Sequence, residues 1–210
     1  MLGAQRATGL SSGSLLISAD ELLLTLPRAM LGLGRKRHER AGYALYTAAV
    51  AAARNPWYFS DLAVPDTLDG RFDLVSVHVA VLIRCLRHHP VPGPALAQAV
   101  FDAMFSDMDV NLREIGVGDM VVGKRVRQMW EAFHGRALAY EAALEAKDRA
   151  ALAQAIARNV WRGAPPNDQA PQTLATCIEA INTQLARQTL ADLTKGAVTF
   201  PNPLEIRHDP

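Results

Sequence analysis

The stretch DMVVGKRVRQMWEAFHGRALAYEAAL, residues 119–144, decides the fold. Within it Val122, Val126, Met129, Phe133, Ala137, Tyr140 and Leu144 recur at intervals of three and four over six turns. That period lines up apolar side chains along one face of an α-helix, whereas a strand would alternate them every two residues. Gly135 is expected to bend this helix or to let a neighbour approach closely. Gly116 and Gly118 break the chain ahead of it, and Asp119 is placed to cap its first turn.

The same period recurs on either side. Upstream, Ala97, Phe101, Met104, Phe105, Met108 and Leu112 make one apolar stripe, with Asp102, Asp109 and Arg113 on another face. Before it, Phe72, Val75, Val79, Leu82, Ile83 and Leu86 form a face from Phe72 onward, leaving Asp73, Arg84 and Arg87 mostly off it. Tyr43, Tyr46 and Val50 mark a helix over 39–54, which Asn55-Pro56 should stop because the residue before proline is pushed out of the helical region. Downstream, Asp148 can cap a helix carrying Leu152, Ile156 and Val160, and Leu174, Ile178, Ile181, Leu185 and Leu193 read as the last one.

Residues 88–94 and 162–171, rich in proline, are connections. Residues 57–71 read as a long ordered loop. There Pro65 restricts the backbone, Asp66 or Asp69 accepts bonds from nearby amides, and Gly70 supplies a positive φ. The expectation is an all-α protein: a single compact helical domain of about six or seven helices over 35–195. An N-terminal tail with a short apolar segment (1–34) and a C-terminal tail (196–210) flank it.

Composition agrees. Alanine fills 35 of the 210 positions and aromatic residues only 6%, which suits helices packed through small side chains. Half of the residues are hydrophobic, enough for a core, and the net charge of +1 gives no global electrostatic case for nucleic acid; specific DNA binding is not expected. Two cysteines make neither a disulfide scaffold nor a thiolate zinc site. The start of the chain lacks the pattern of a secretory signal. The uncharged run at 41–53 is too short to span a bilayer. The apolar stretch LLLTLPRAMLGL (22–33) runs into Arg35, Lys36, Arg37 and Arg40, a candidate approach to an anionic membrane surface or a short packing helix followed by a solvated turn.

Dinucleotide and phosphate-loop fingerprints, a zincin helix and a nucleophile elbow are all missing. His88 and His89 are adjacent and point apart, and His78 reads as a hydrogen-bonded interior or boundary residue. Asp102, Asp107 and Asp109 lack the Glu-x-x-His partner of a di-metal helical site, so no metal and no cofactor is expected. Residues 101–114 carry net charge −3 and are followed by Lys124, Arg125 and Arg127, with Arg127 able to pair with Glu131 four residues on. Mutual salt bridging inside the domain and a two-signed docking surface both fit this pattern. The candidate partner surface is Arg71, Asp73, Asp102, Asp109, Arg113, Glu114, Lys124, Arg125 and Arg127, with no catalytic residue.

Motifs in matching order carry a resemblance. They are ARNP (53–56), VPDTLDGRFD (64–73), VHV (77–79), FDAMFSDMD (101–109), LREIGVGD (112–119), KRV (124–126), AFHGR (132–136), AY (139–140), Leu152 and ARN (157–159). Over residues 36–162 the chain resembles the ubiquinol–cytochrome c chaperone family, assembly factors of the cytochrome bc complex. It departs where the family usually has tyrosine (His134), aspartate (Glu141) and often proline (Gly123).

The resemblance implies a non-enzymatic helical chaperone that binds newly made cytochrome b. It implies further a small partner protein or the ribosome nearby; the apolar stretch at 22–33 with Arg35, Lys36, Arg37 and Arg40 adds the expectation of peripheral attachment to the inner face of a bacterial inner membrane, or the matrix side in an organelle. A ribosome- or RNA-associated binding protein is the alternative, and a quinone- or prenyl-modifying enzyme a weaker one. Against the enzyme, Asp107 and Asp109 are too close for a D-D-x-x-D arrangement, and a second aspartate cluster is missing.

Overall fold

The computed structural model describes residues 36–206, less the side chains of Lys36 and Arg37. Among these residues it holds eight α-helices and no strand. Arg35 and the apolar stretch at 22–33 lie outside the described residues. No helix among the described residues is long and apolar enough to cross a membrane.

Helix α1 (Lys36–Ala53) buries Ala41, Leu45, Tyr46, Ala49 and Ala53, a face of mostly small residues. That smallness lets it lie close on the helix that carries Ala99: a Cβ at Gly42 would come within 2.5 Å of the Ala99 Cβ. Tyr43, one of the residues whose spacing marked this helix, is 58% exposed, because the buried stripe is centred on Leu45 and Ala49. Asn55-Pro56 ends the helix as expected, and the Asn55 side chain accepts from the Trp57 amide at 3.0 Å. The loop expected at 57–71 contains a one-turn helix, α2 (Trp57–Ser60), whose Tyr58 is buried.

Helix α3 (Leu68–His88) starts four residues earlier than the apolar pattern suggested. Thr67 is its N-cap, its hydroxyl accepting from the Gly70 amide at 3.1 Å, a role the sequence reading gave to Asp66 or Asp69. Gly70 is therefore helical and needs no positive φ. It is required because the helix start lies against the incoming loop, where a Cβ would sit 2.0 Å from the Pro65 carbonyl oxygen. Every residue from Phe72 to Leu82 is buried, so α3 is the central helix, packed by α1 and by four of the helices that follow it. Asp73, expected off the apolar face, is 1% exposed, since a helix surrounded on all sides has no solvent face to offer.

Helices α4 (Gly93–Glu114) and α5 (Asp119–Ala146) pair across the turn at Gly116, whose φ is +85°. Asp119 does not cap α5. Gly118 holds the cap position, and the Asp119 carboxylate is taken by Arg113 from the end of α4. Gly135 has open space where a Cβ would stand, so no neighbour closes in there.

Asp148 caps α6 (Arg149–Val160) as expected, accepting from the Ala151 amide at 2.9 Å. Helix α7 (Gln169–Ala186) carries the buried Leu174, Ile178, Ile181 and Leu185, and α8 (Leu190–Thr194) buries Leu193. Beyond it, residues 196–206 run along the core as a strap. Gln188 clamps Thr199 through two hydrogen bonds of 2.7 and 2.8 Å, Val198, Phe200 and Ile206 pack on the core, and Pro203 is buried.

Candidate functional site

A cleft of about 520 Å³ is formed by α1, α3, α4, α5 and the turn after α6. Its floor is apolar: Val50, Phe72, Val75, Met108, Leu112 and Met129. Leu68 and Ile115, 56% and 59% exposed, add apolar side chains to its lining from the start of α3 and the end of α4. Arg54, Arg71, Arg125, Arg136 and Arg162 also line it, against two carboxylates, Asp69 and Asp107.

Each charge has an identifiable origin. Asp73 projects from the central helix into a position closed to water, where Arg136 of α5 binds one oxygen and Arg162 approaches the other at 3.3 Å. Burial pushes the Asp73 carboxyl above its ordinary value, with the two guanidiniums opposing. Arg136 also lies 5.9 Å over the centre of the Phe72 ring. Arg162 reaches the cleft from a left-handed backbone position (φ +53°) and lies 3.5 Å from Asp69. Arg71 pairs with Asp66 at 2.5 Å, fastening the loop, and that hydrogen bond holds the Asp66 carboxyl below its usual range. On the opposite wall the Tyr46 hydroxyl donates to Asp107 at 2.7 Å, and burial together with that carboxylate raises the phenol well above its normal value.

Of the charged residues singled out in the sequence, the cleft gathers Asp69, Arg71, Asp107 and Arg125. Asp73 supports it from beneath. Asp109 and Arg113 form a half-exposed i, i+4 pair at 2.7 Å beside it, and Asp102 accepts from Gln98 at 3.0 Å on α4. Arg127 pairs with Glu131 at 3.1 Å, as the spacing predicted, while Glu114 and Lys124 are exposed. The acidic face of α4 and the basic start of α5 are thus joined only through Arg113 and Asp119 among the ion pairs of the described residues. Arg40 is exposed on α1. Tyr46, Arg54 and Arg162 were missed as site residues; Arg54, directly before Asn55-Pro56, had the one local signal, a charge fixed at a helix end.

No group of His, Cys, Asp and Glu among the described residues could hold a metal ion. The His88 ring donates to the Arg84 carbonyl at 2.7 Å, and His89 lies 3.9 Å from the Cys85 sulfur. His78 is interior, as expected. Its Nδ1–H donates to the Leu74 carbonyl at 2.8 Å, which leaves Nε2 to accept from the Tyr58 hydroxyl at 3.3 Å. At the departures from the motif pattern, the His134 ring stacks on Trp130 with centroids 5.6 Å apart, and Glu141 pairs with Arg87 at 3.3 Å.

Comparison with known proteins adds three findings. Residues 60–200 match the family model described as ubiquinol-cytochrome C chaperone. A curated relative from Xenopus laevis, ubiquinol-cytochrome-c reductase complex assembly factor 1, is 23% identical over 120 residues, 57% of this chain. The aligned part spans 60% of that relative's length. The crystal structure of the Cbp3 homolog from Brucella abortus superposes with a TM-score of 0.73 at 30% identity, covering 89% of this chain and 99% of that one.

Proposed function

Since the chain belongs to the ubiquinol–cytochrome c chaperone family, we propose that it acts by binding alone, as an assembly factor of the ubiquinol–cytochrome c reductase complex, and that its client is newly made cytochrome b. The carrying observation is the cleft, with its apolar floor and the exposed Leu68 and Ile115. A newly made membrane subunit presents apolar segments that must be shielded from water before they are inserted, and exposed apolar surface beside a cleft is suited to hold one. A spanning helix, about 30 Å long and 10 Å across, occupies about 2,400 Å³, so the cleft would seat one face over a turn or two. Charged residues around it, among them Arg71, Asp109, Arg113, Glu114, Lys124 and Arg127, would form the polar margin of that contact. Attachment to the inner face of the membrane would be peripheral, with Arg40 and the basic residues before it facing anionic lipid. A small partner protein or the ribosome would meet the chaperone elsewhere.

Ile115→Glu tests this reading, because the side chain is exposed and lies in the cleft wall. In a tagged pull-down from detergent-solubilised cells, the unmutated chain should recover cytochrome b. The variant should lose most of it while keeping its helical circular dichroism. Equal recovery by both, or ribosomal proteins in place of cytochrome b, would count against the proposal.

A further inference from the structure

The arginines around the cleft are not equivalent. Arg71 is taken by Asp66, Arg136 by Asp73, and Arg162 by Asp69 and Asp73. Arg54, just after α1, and Arg125, on α5, are exposed, line the same cleft and form no ion pair among the described residues. The two carboxylates in the wall are engaged as well, Asp107 by Tyr46 and Asp69 by Arg162. Two guanidiniums without a carboxylate partner therefore face the apolar floor, against one carboxylate, Asp107, that is hydrogen-bonded by a neutral phenol and has no cation on it among the described residues.

From this imbalance we infer that the cleft selects an apolar segment carrying an acidic side chain, whose carboxylate is met by Arg54 and Arg125. This rests on the reading of the cleft as the client site and names the chemistry of what enters it. A carboxylate on an otherwise apolar helix finds there the charge-assisted donors it loses on leaving water. A lysine on the same helix would meet the two guanidiniums with only Asp107 to offset them. The arrangement thus discriminates by repulsion as well as attraction.

A labelled 14-residue apolar helical peptide with one central Asp, and its Asn and Lys twins, test this by fluorescence anisotropy against the full chain in mild detergent. The Asp peptide should bind about tenfold tighter than the Asn peptide at low salt, with the advantage shrinking as salt screens it, and the Lys peptide weakest. The double variant R54Q/R125Q should bring Asp and Asn peptides to equal affinity. Equal affinities on the unmutated chain would overturn the inference while leaving the client reading in place. Failure of all three peptides to bind would overturn both. Capture of the chain on phosphatidylglycerol vesicles that is lost in R54Q/R125Q would assign the two arginines to a lipid headgroup and also overturn it.

Discussion

His78 has no exposed surface, and its ring is kept neutral by burial, which lowers its pKa from 6.5 to about 4. An unfolded chain would take up a proton on this imidazole near pH 6.5, whereas the native chain resists until about pH 4. Its contribution is therefore complete above pH 6.5 and is lost as pH falls toward 4, by about 3 kcal/mol in all. Urea unfolding between pH 7 and pH 4 should show this slope in the native chain. It should be shallower in His78→Gln, which cannot titrate; parallel slopes would refute the assignment. An interior histidine was legible from its place on an apolar helical run. Its partner Tyr58 was not, because the pair is separated by 20 residues and a turn.

At the scale of elements, one buried carboxylate ties three of them: Asp73 of α3 holds Arg136 of α5 and Arg162 beyond α6. Removing it leaves the Arg136 guanidinium, 14% exposed, without its counter-charge. Asp73→Ala should cost about 3–5 kcal/mol in denaturant unfolding, while D73L/R136L should recover most of that loss. Arg162→Ala should cost under about 1 kcal/mol, because that side chain is 58% exposed and screened by water. A double variant no more stable than Asp73→Ala would show that the loss is not one of charge burial. Helical period found most of the buried face of α5 from sequence, and on α4 it found Ala97, Met104 and Leu112 but not the fully buried Leu96 and Val100. It misplaced Asp73 because α3 is buried on every side, and a helix of that kind has no polar face for a periodic pattern to mark. The cleft itself was only partly legible: Arg125 and Arg71 stood out as charges, whereas Arg162 enters through a left-handed turn that no spacing rule anticipates.

For the whole molecule, small-residue composition and repeated three–four spacing were enough to indicate an all-α fold, and the domain obeys them. Less visible was the stretch after α8, whose three prolines and weak period suggested a tail. It is held by single long-range contacts, Gln188 to Thr199 and Phe200 near the His78 ring at 6.2 Å, which leave no periodic trace. Burial of a full apolar side chain is worth about 1.5–3 kcal/mol, and Val198, Phe200 and Ile206 are each partly covered. A chain ending at Lys195 should therefore lose about 2–4 kcal/mol and unfold at a lower temperature, with its helical content retained. An unchanged Tm would mean that the strap adds nothing to the domain.

Gly196, at φ +81°, opens that strap where a Cβ would press within 2.8 Å of the Ala44 side chain on α1. The first helix of the domain is thus sealed by residues translated roughly 150 positions after it. At about 5–20 residues per second the ribosome needs on the order of 10–30 s to deliver them. For that interval α1 waits on a half-built domain. On the proposed reading, a protein that shelters a nascent chain is itself, while being made, a nascent chain with an open flank.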